Sequence, residues 1–228
     1  MSVFVTGTDT GVGKTYASCA LVAALNAQGI RTIGMKPVAS GCEETPDGLR
    51  NSDAQSLRAH SVGEPPYPLV NPYALREPIA PHLAAAHEGQ EIRIEPIAAA
   101  YETLAARCEA MIVEGVGGWA VPLSPTRMQA DLVRALALPV VLVVGLRLGC
   151  INHAVLSARA IEADGCRLVG WIANRIDPQM LVADENLATL RERLPAPCLG
   201  VLPYSSTLDV RAAAERLRPS IRMLHAGA

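Results

Sequence analysis

No two of the six cysteines, Cys19, Cys42, Cys108, Cys150, Cys166 and Cys198, make a C-x-x-C pair, and the five histidines do not cluster with them. That scatter argues against a zinc or iron–sulfur site. Isolated thiols of this kind suit a reducing compartment and read as apolar filler. Long hydrophobic runs are missing as well. The longest, residues 135–146, is 12 residues, contains Pro139, and is too short to span a bilayer. Neither sign of charge dominates: 20 Lys and Arg face 22 Asp and Glu, for a net charge of −2. Such a chain has no basic field to draw in nucleic acid or an anionic membrane, so neither is expected as a partner. The N-terminus lacks a basic stretch and reaches Gly7 almost at once, which is not a signal-peptide pattern, so a cytoplasmic protein is expected. Repeats, low-complexity tracts and charge blocks are lacking too.

What is present is a 228-residue chain that is 50% apolar, enough for one sizeable core, and a single domain over 1–228 is the expectation. Apolar runs at 2–6, 31–37, 111–114, 140–145, 168–174 and 198–202 read as strands. Helical patterns lie at 14–28, 53–60, 94–108, 128–137, 152–164, 181–194 and 209–217. Between 63 and 82, Pro65, Pro66, Pro68, Pro72, Pro78 and Pro81 forbid long regular elements and imply an ordered excursion or flap. Continuous apolar strands alternating with helices predict an α/β fold, a parallel β-sheet with helices on both faces. In such a sheet the ligand crevice lies at the carboxyl ends of the strands. The segments to search are therefore 7–15, 36–40, 114–118, 145–152, 174–177 and 203–205.

The first of these reads GTDTGVGKT. A glycine-rich turn between strand and helix turns successive N–H groups inward, where they and the helix N-terminus hold phosphate oxygens. Gly11 and Gly13 supply the freedom, Lys14 the cation on the phosphates, and the Thr15 hydroxyl a Mg²⁺ ligand. The usual phosphate-loop spacing would need glycine at position 8, but that residue is Thr8 and the glycine is Gly7. Mg²⁺ needs further oxygen ligands. Glu114 closes the strand 111–114 and is the best candidate, although a carboxylate there can also be merely solvated. Asp53, after Asn51 and Ser52, suggests by itself only a helix cap. Lys36, in KPVASG with Ser40, can neutralise a transferring phosphoryl group or simply cover the sheet edge with its stem.

Taken in order, GTDTGVGKT, MKPVASG, NSD, VEGVGGW, VVGLRLGCINHA and GWIAN resemble the dethiobiotin synthetase family, from about residue 3 to residue 205. The family's own loop has the extra residue, so the resemblance accounts for the spacing. It implies a P-loop NTPase-type fold in a cytoplasmic homodimer that uses Mg²⁺ and ATP. It also implies the reaction: diaminopelargonic acid and CO₂ form a carbamate, ATP phosphorylates it, and the second amine closes a cyclic urea. By the same resemblance Gly11, Val12, Gly13, Lys14, Thr15 and Tyr16 hold the ATP phosphates, and Thr15, Asp53 and Glu114 are the magnesium ligands. Lys36 and Lys14 are the catalytic pair. Gly117 joins the ATP contacts, with Asn174, Arg175, Pro203, Tyr204 and Ser205 on the adenine side. Thr10, Ser40, Gly115, Val116 and Gly118 lie along the substrate. Gly149, Cys150, Ile151 and Asn152 form a helix start that receives the substrate carboxylate from the partner subunit, so the active site is shared. Two departures matter: Gly11 stands where some members carry Glu, so a loop side-chain contact is lost while the backbone donors remain, and Arg175 stands where an acidic residue can occur, which bears on the base accepted. Trp119 and Trp171 read as packing residues.

Three alternatives stand beside this reading. A partitioning-type ATPase shares GVGKT but carries a lysine where this chain has Asp9. An iron–sulfur carrier would need paired cysteines. An amidotransferase-linked ligase would activate a carboxylate, with a glutaminase supplied by another chain.

Overall fold

In β1 (Ser2–Gly7) successive residues face opposite ways, as strand geometry dictates. Val3 and Val5 pack on one side of the sheet and Phe4 on the other. The computed structural model describes residues 2–205, 207 and 209–218; the tail at 219–228, for which the sequence offers no motif, lies outside the described residues.

After β1 come α1 (Lys14–Asn26), β2 (Thr32–Met35), β3 (Val38–Ala39), β4 (Glu43–Thr45), β5 (Gly48–Arg50) and α2 (Ser52–His60). The chain continues through α3 (Tyr67–Val70), β6 (Tyr73–Ala74), α4 (Pro81–His87), α5 (Ile94–Ala105), β7 (Ala110–Glu114) and α6 (Gln129–Ala135). It ends with β8 (Val140–Leu146), α7 (Cys150–Ala163), β9 (Leu168–Arg175), α8 (Ala183–Arg193), β10 (Cys198–Leu202) and α9 (Val210–Leu217).

Six strands form the central sheet in the order β10-β9-β8-β1-β7-β2, and every pairing in it is parallel. The α1 and α9 side buries Val3, Val5, Ile112, Val141, Val143 and Ile172. The opposite side buries Phe4, Met111, Val113, Leu142, Val144 and Trp171 beneath α5, α6, α7 and α8. This is the expected doubly covered parallel sheet, with β1 in its middle, flanked by β7 and β8. Their carboxyl ends therefore converge on one crevice.

Several boundaries shift from the sequence reading for local reasons. The strand expected at 31–37 ends at Met35, because the Lys36 N–H leaves the sheet and donates to Val70 O at 2.8 Å. Helix α7 starts two residues earlier than the pattern suggested, behind Gly149 with φ 94°. Helix α8 starts two residues later, leaving Leu181 exposed. The proline-rich segment is ordered into two short helices and β6, which pairs with β3. The antiparallel pair of β4 and β5 was not legible in the sequence.

Candidate active site

The loop between β1 and α1 explains its own spacing. Thr8, where the usual pattern has glycine, donates its N–H to Val143 O of β8 at 3.0 Å, so it still belongs to the sheet and the loop proper starts at Asp9. Gly13 begins α1 with φ 85°, in the left-handed region that glycine alone enters freely. A Cβ there would also lie 2.1 Å from Asn174 Nδ2. That amide donates to Val12 O at 2.9 Å and ties the end of β9 to the loop. Asp9 organises the other half. Its Oδ1 accepts from the Thr10 N–H at 2.7 Å, its Oδ2 from Arg147 at 2.5 Å, and its main-chain oxygen from Lys14 Nζ at 3.0 Å. The Thr10 N–H and the Arg147 guanidinium, working against partial burial, hold the Asp9 carboxyl below its ordinary range.

Behind the loop lies a buried charge cluster. Lys36 Nζ donates to Glu114 Oε1 at 2.6 Å, to Asp53 Oδ2 at 3.1 Å and to Gly115 O at 3.1 Å. Thr15 Oγ1 donates to the same Glu114 oxygen at 2.8 Å. Glu114 is fully buried and Lys36 nearly so. Burial alone would push the Lys36 ammonium down, but the two carboxylates outweigh it and raise it above its ordinary value. Burial likewise opposes ionisation of Asp53, and Lys36 overcomes it, so that carboxyl sits below its usual range. Lys14 goes the other way: burial and the nearby Lys36 charge bring it from 10.5 down to about 8. Asp53 is not the helix cap its context suggested. Asn51 is, its Oδ1 accepting from the Asp53 and Ala54 N–H groups at 3.0 and 3.2 Å, which leaves the Asp53 carboxylate for Lys36.

These groups open on one cavity of about 890 Å³. Thr10, Gly11, Gly13, Lys14, Thr15 and Tyr16 line it from the loop, with Lys36, Ser40 and Asp53 beside them. Val116, Gly117 and Gly118 form another side, and Asn174, Arg175, Pro203, Tyr204 and Ser205 the far end. Three expected residues sit behind the wall rather than on it. Val12 is buried, Glu114 lies beneath Lys36 and Thr15, and Gly115 offers only its carbonyl to Lys36. Gly149, Cys150, Ile151 and Asn152 do not line the cavity of their own chain. The Arg175 guanidinium pairs with Asp184 of α8. Trp119 and Trp171 are buried, their indole N–H groups donating to Asp164 Oδ2 at 2.7 Å and Ala196 O at 3.1 Å, so both are packing residues.

Some functional residues escaped the sequence reading. Gln129 is buried; its Oε1 accepts from the Val116 N–H at 2.9 Å and its Nε2 donates to Gly118 O at 2.8 Å, so it sets the loop after β7. A glutamine at the first position of α6, ahead of Ala130, Leu132 and Val133, was the available signal. Pro78, Ile79, Ala80 and Pro81, from the proline-rich segment, complete one wall. Tyr16 donates its hydroxyl to Asp209 O at 3.0 Å and so joins α1 to the cap of α9. Among the described residues no helix is long and apolar enough to cross a membrane.

Comparison with known proteins gives the chain its relatives. A family profile described as an AAA domain matches residues 1–212. The ATP-dependent dethiobiotin synthetase BioD of Xanthomonas euvesicatoria pv. vesicatoria is 59% identical over 215 residues, 94% of this chain and 96% of that protein. The protein of the same name from Xylella fastidiosa is 55% identical over 217 residues, 95% of this chain and 96% of its own. Among solved structures, the MinC:MinD cell division protein complex of Aquifex aeolicus matches with TM-score 0.60 and 15% identity, over 100% of this chain and 96% of that one. A ParA family ATPase from Chlorobium tepidum matches with TM-score 0.56 and 14% identity, over 98% of both chains. These two show the fold, a parallel α/β sheet covered by helices. Extensive identity along nearly the whole length, on top of that sheet and its loop, places the chain in a family of ligases: it belongs to the ATP-dependent dethiobiotin synthetases.

Proposed function

We propose that this chain is a single-domain cytoplasmic enzyme that joins diaminopelargonic acid and CO₂ into dethiobiotin at the expense of ATP. The observation that carries the reading is the common cavity. The phosphate loop, two lysines and Asp53, with Glu114 directly beneath, open on a space that holds a nucleotide at one end and a second small molecule at the other. The diamine, as its carbamate, lies along Val116, Gly117 and Gly118 with Thr10 and Ser40 at its polar end. The inward N–H groups from Gly11 to Thr15 and the ammonium of Lys14 hold the triphosphate, while Pro203, Tyr204, Ser205 and Asn174 surround the base.

The chemistry asks little covalent work of the protein. The carbamate oxygen attacks the γ-phosphorus in line, and ADP leaves. The second amine then attacks the carbamoyl carbon, the ring closes, and phosphate departs. What the chain supplies is alignment and positive charge where the transferring phosphoryl spreads its own. Lys14 and Lys36 reach that region from two sides. A magnesium ion fits the residues present. Glu114 Oε2 is buried without a hydrogen-bond partner, and with Asp53 and the Thr15 hydroxyl it makes an oxygen set of two carboxylates and one alcohol. Magnesium typically takes such a partial set and completes its shell with phosphate oxygens and water. Held by Thr15, Asp53 and Glu114, it would neutralise charge on the phosphates.

A homodimer completes the site in this reading. Gly149 to Asn152 open α7, whose positive N-terminal end suits a carboxylate. They lie away from their own cavity, beside Leu148, which is 92% exposed. A partner cavity is the natural place for both. The direct test is ADP release by the purified protein. Release that requires both diaminopelargonate and bicarbonate is expected; equal turnover without the diamine would overturn the reading and favour a partitioning-type ATPase.

A further inference from the structure

Lys36 occupies a peculiar place for a residue meant to face a substrate. Its ammonium has three protons, and all three are spent inside the protein, on Glu114, Asp53 and the Gly115 carbonyl. The two carboxylates it bridges are those proposed to hold the metal, and the Glu114 oxygen it takes is the one that also accepts from Thr15, the third proposed ligand. One buried cation thus sits against the complete ligand set proposed for another. A metal on Glu114 Oε2 and Asp53 would stand directly against the ammonium that Glu114 Oε1 and Asp53 Oδ2 now hold, two cations on one carboxylate pair. The main chain of Lys36 is clamped at both ends: its N–H donates to Val70 O and its carbonyl accepts from Asn71 Nδ2, each at 2.8 Å. Any exchange is therefore a swing of the four-carbon stem.

We infer that Lys36 is the internal counter-ion of the free site and that the metal, arriving with nucleotide, displaces it toward the acceptor. The inference rests on the metal assignment above. Its physical basis is charge balance. Without a cation the fully buried Glu114 carboxylate would face the half-exposed Asp53 carboxylate uncompensated, and the lysine relieves that while the metal is away. A divalent ion that neutralises both carboxylates removes the attraction that holds the ammonium. The freed ammonium then loses its partners at the moment the phosphates and the carbamate supply new ones. Two consequences follow. A divalent cation alone binds weakly, because a well-paired ammonium already neutralises the same two carboxylates. And the residue that steadies the transferring group becomes available only in a metal-loaded site, which suppresses phosphoryl transfer to water when the site is half assembled.

The experiment measures Mn²⁺ binding by electron paramagnetic resonance without nucleotide. Wild type should bind weakly. Lys36→Gln, folded by circular dichroism, should bind at least about tenfold more tightly, because the competing charge is gone. Adding Glu114→Gln to that variant should abolish the gain. Equal or weaker Mn²⁺ binding by folded Lys36→Gln would overturn the inference. Should that variant fold poorly, the ammonium resonance of Lys36 in ¹⁵N-lysine-labelled wild type decides. A protected signal in the free protein that moves or vanishes with Mg²⁺ and ADP supports displacement; one unchanged at saturation refutes it. Neither measurement depends on the diamine, so loss of diamine-dependent ADP release would count against the proposed reaction and leave this result standing.

Discussion

Lys14 is held charged in a place that resists charge, and that has a measurable cost. It is buried, its neighbour Lys36 is also a cation, and its pKa falls from 10.5 to about 8. Holding the charged form at neutral pH against that fall costs about 3 kcal/mol. Lys14→Met removes the charge and keeps most of the stem. It forfeits the 3.0 Å hydrogen bond from Nζ to Asp9 O, which offsets about 1–2 kcal/mol. The nucleotide-free variant should therefore be more stable than wild type at pH 7 by roughly 1–2 kcal/mol, a rise in Tm of about 2–8 °C for a chain of this length. Nucleotide should reverse the order. Wild type gains about 2.7 kcal/mol at a hundredfold excess of ADP over its Kd, and the variant gains little. The dependence on pH has a definite sign. Between about 8 and 10.5 the unfolded chain keeps a proton that folded wild type has released, so wild-type stability rises with pH across that window and the variant lacks this rise. Urea unfolding at pH 7, 8.5 and 10, with and without Mg²⁺ and ADP, reads all of this. A free variant less stable than wild type at pH 7, with the same slope to pH 10, would refute the argument that the loop stores destabilising charge for phosphate.

Gly13→Ala should cost about 2 kcal/mol or more, from left-handed strain at φ 85° and from driving Asn174 off Val12. Adding Asn174→Ala to it should cost almost nothing further, because that hydrogen bond is already lost, and a strictly additive double mutant would argue against the clash. Arg147→Met should change urea stability by less than about 1 kcal/mol, since its pair with Asp9 is partly exposed. It should nevertheless weaken ADP binding severalfold by releasing the carbonyl that orients Lys14; calorimetric titration gives the answer. Mixing inactive Lys14→Ala chains with inactive Asn152→Ala chains should restore part of the activity, because one of the two hybrid sites then has both halves. No recovery in confirmed heterodimers would exclude a shared site.

What could be read in the sequence followed from strand ends. In a parallel sheet the residue after each apolar run is placed at the crevice by topology, and Lys14, Thr15, Lys36, Glu114, Val116 and Asn174 all follow such runs. What could not be read depends on long-range pairing. Lys36 meets a carboxylate 78 residues away, and no spacing announces that Glu114 and Asp53 share one ammonium. Gln129 acts through loop carbonyl and amide groups that periodicity does not encode. The assignment of Asn51 rather than Asp53 as the cap depends on side-chain direction, which a run of polar residues leaves open.

The fold on its own would not have separated a ligase from the alternatives. A cell division protein and a ParA family ATPase share its sheet along nearly the whole chain at 14–15% identity. The discrimination lies in one loop position and its partner. A partitioning-type loop has a lysine where this chain has Asp9, and Asp9 is no neutral replacement. Its carboxylate spans the Thr10 N–H and the Arg147 guanidinium, and its carbonyl holds Lys14. Arg147 stands three residues before Cys150, the first residue of α7, and its own carbonyl accepts the Cys150 N–H at 3.0 Å. The loop proposed to grip nucleotide is thus tied, through one ion pair, to the helix start proposed to grip the other subunit's substrate. Reversing the charge with Asp9→Lys would set two cations against each other, break that tie, and leave a partitioning-type loop on a ligase scaffold. ADP binding should then survive in part, since the glycines, Lys14 and Thr15 remain, while diamine-dependent turnover should fall far more. Equal losses of ADP binding and diamine-dependent turnover would mean that Asp9 serves the phosphates alone and that the tie to α7 carries nothing.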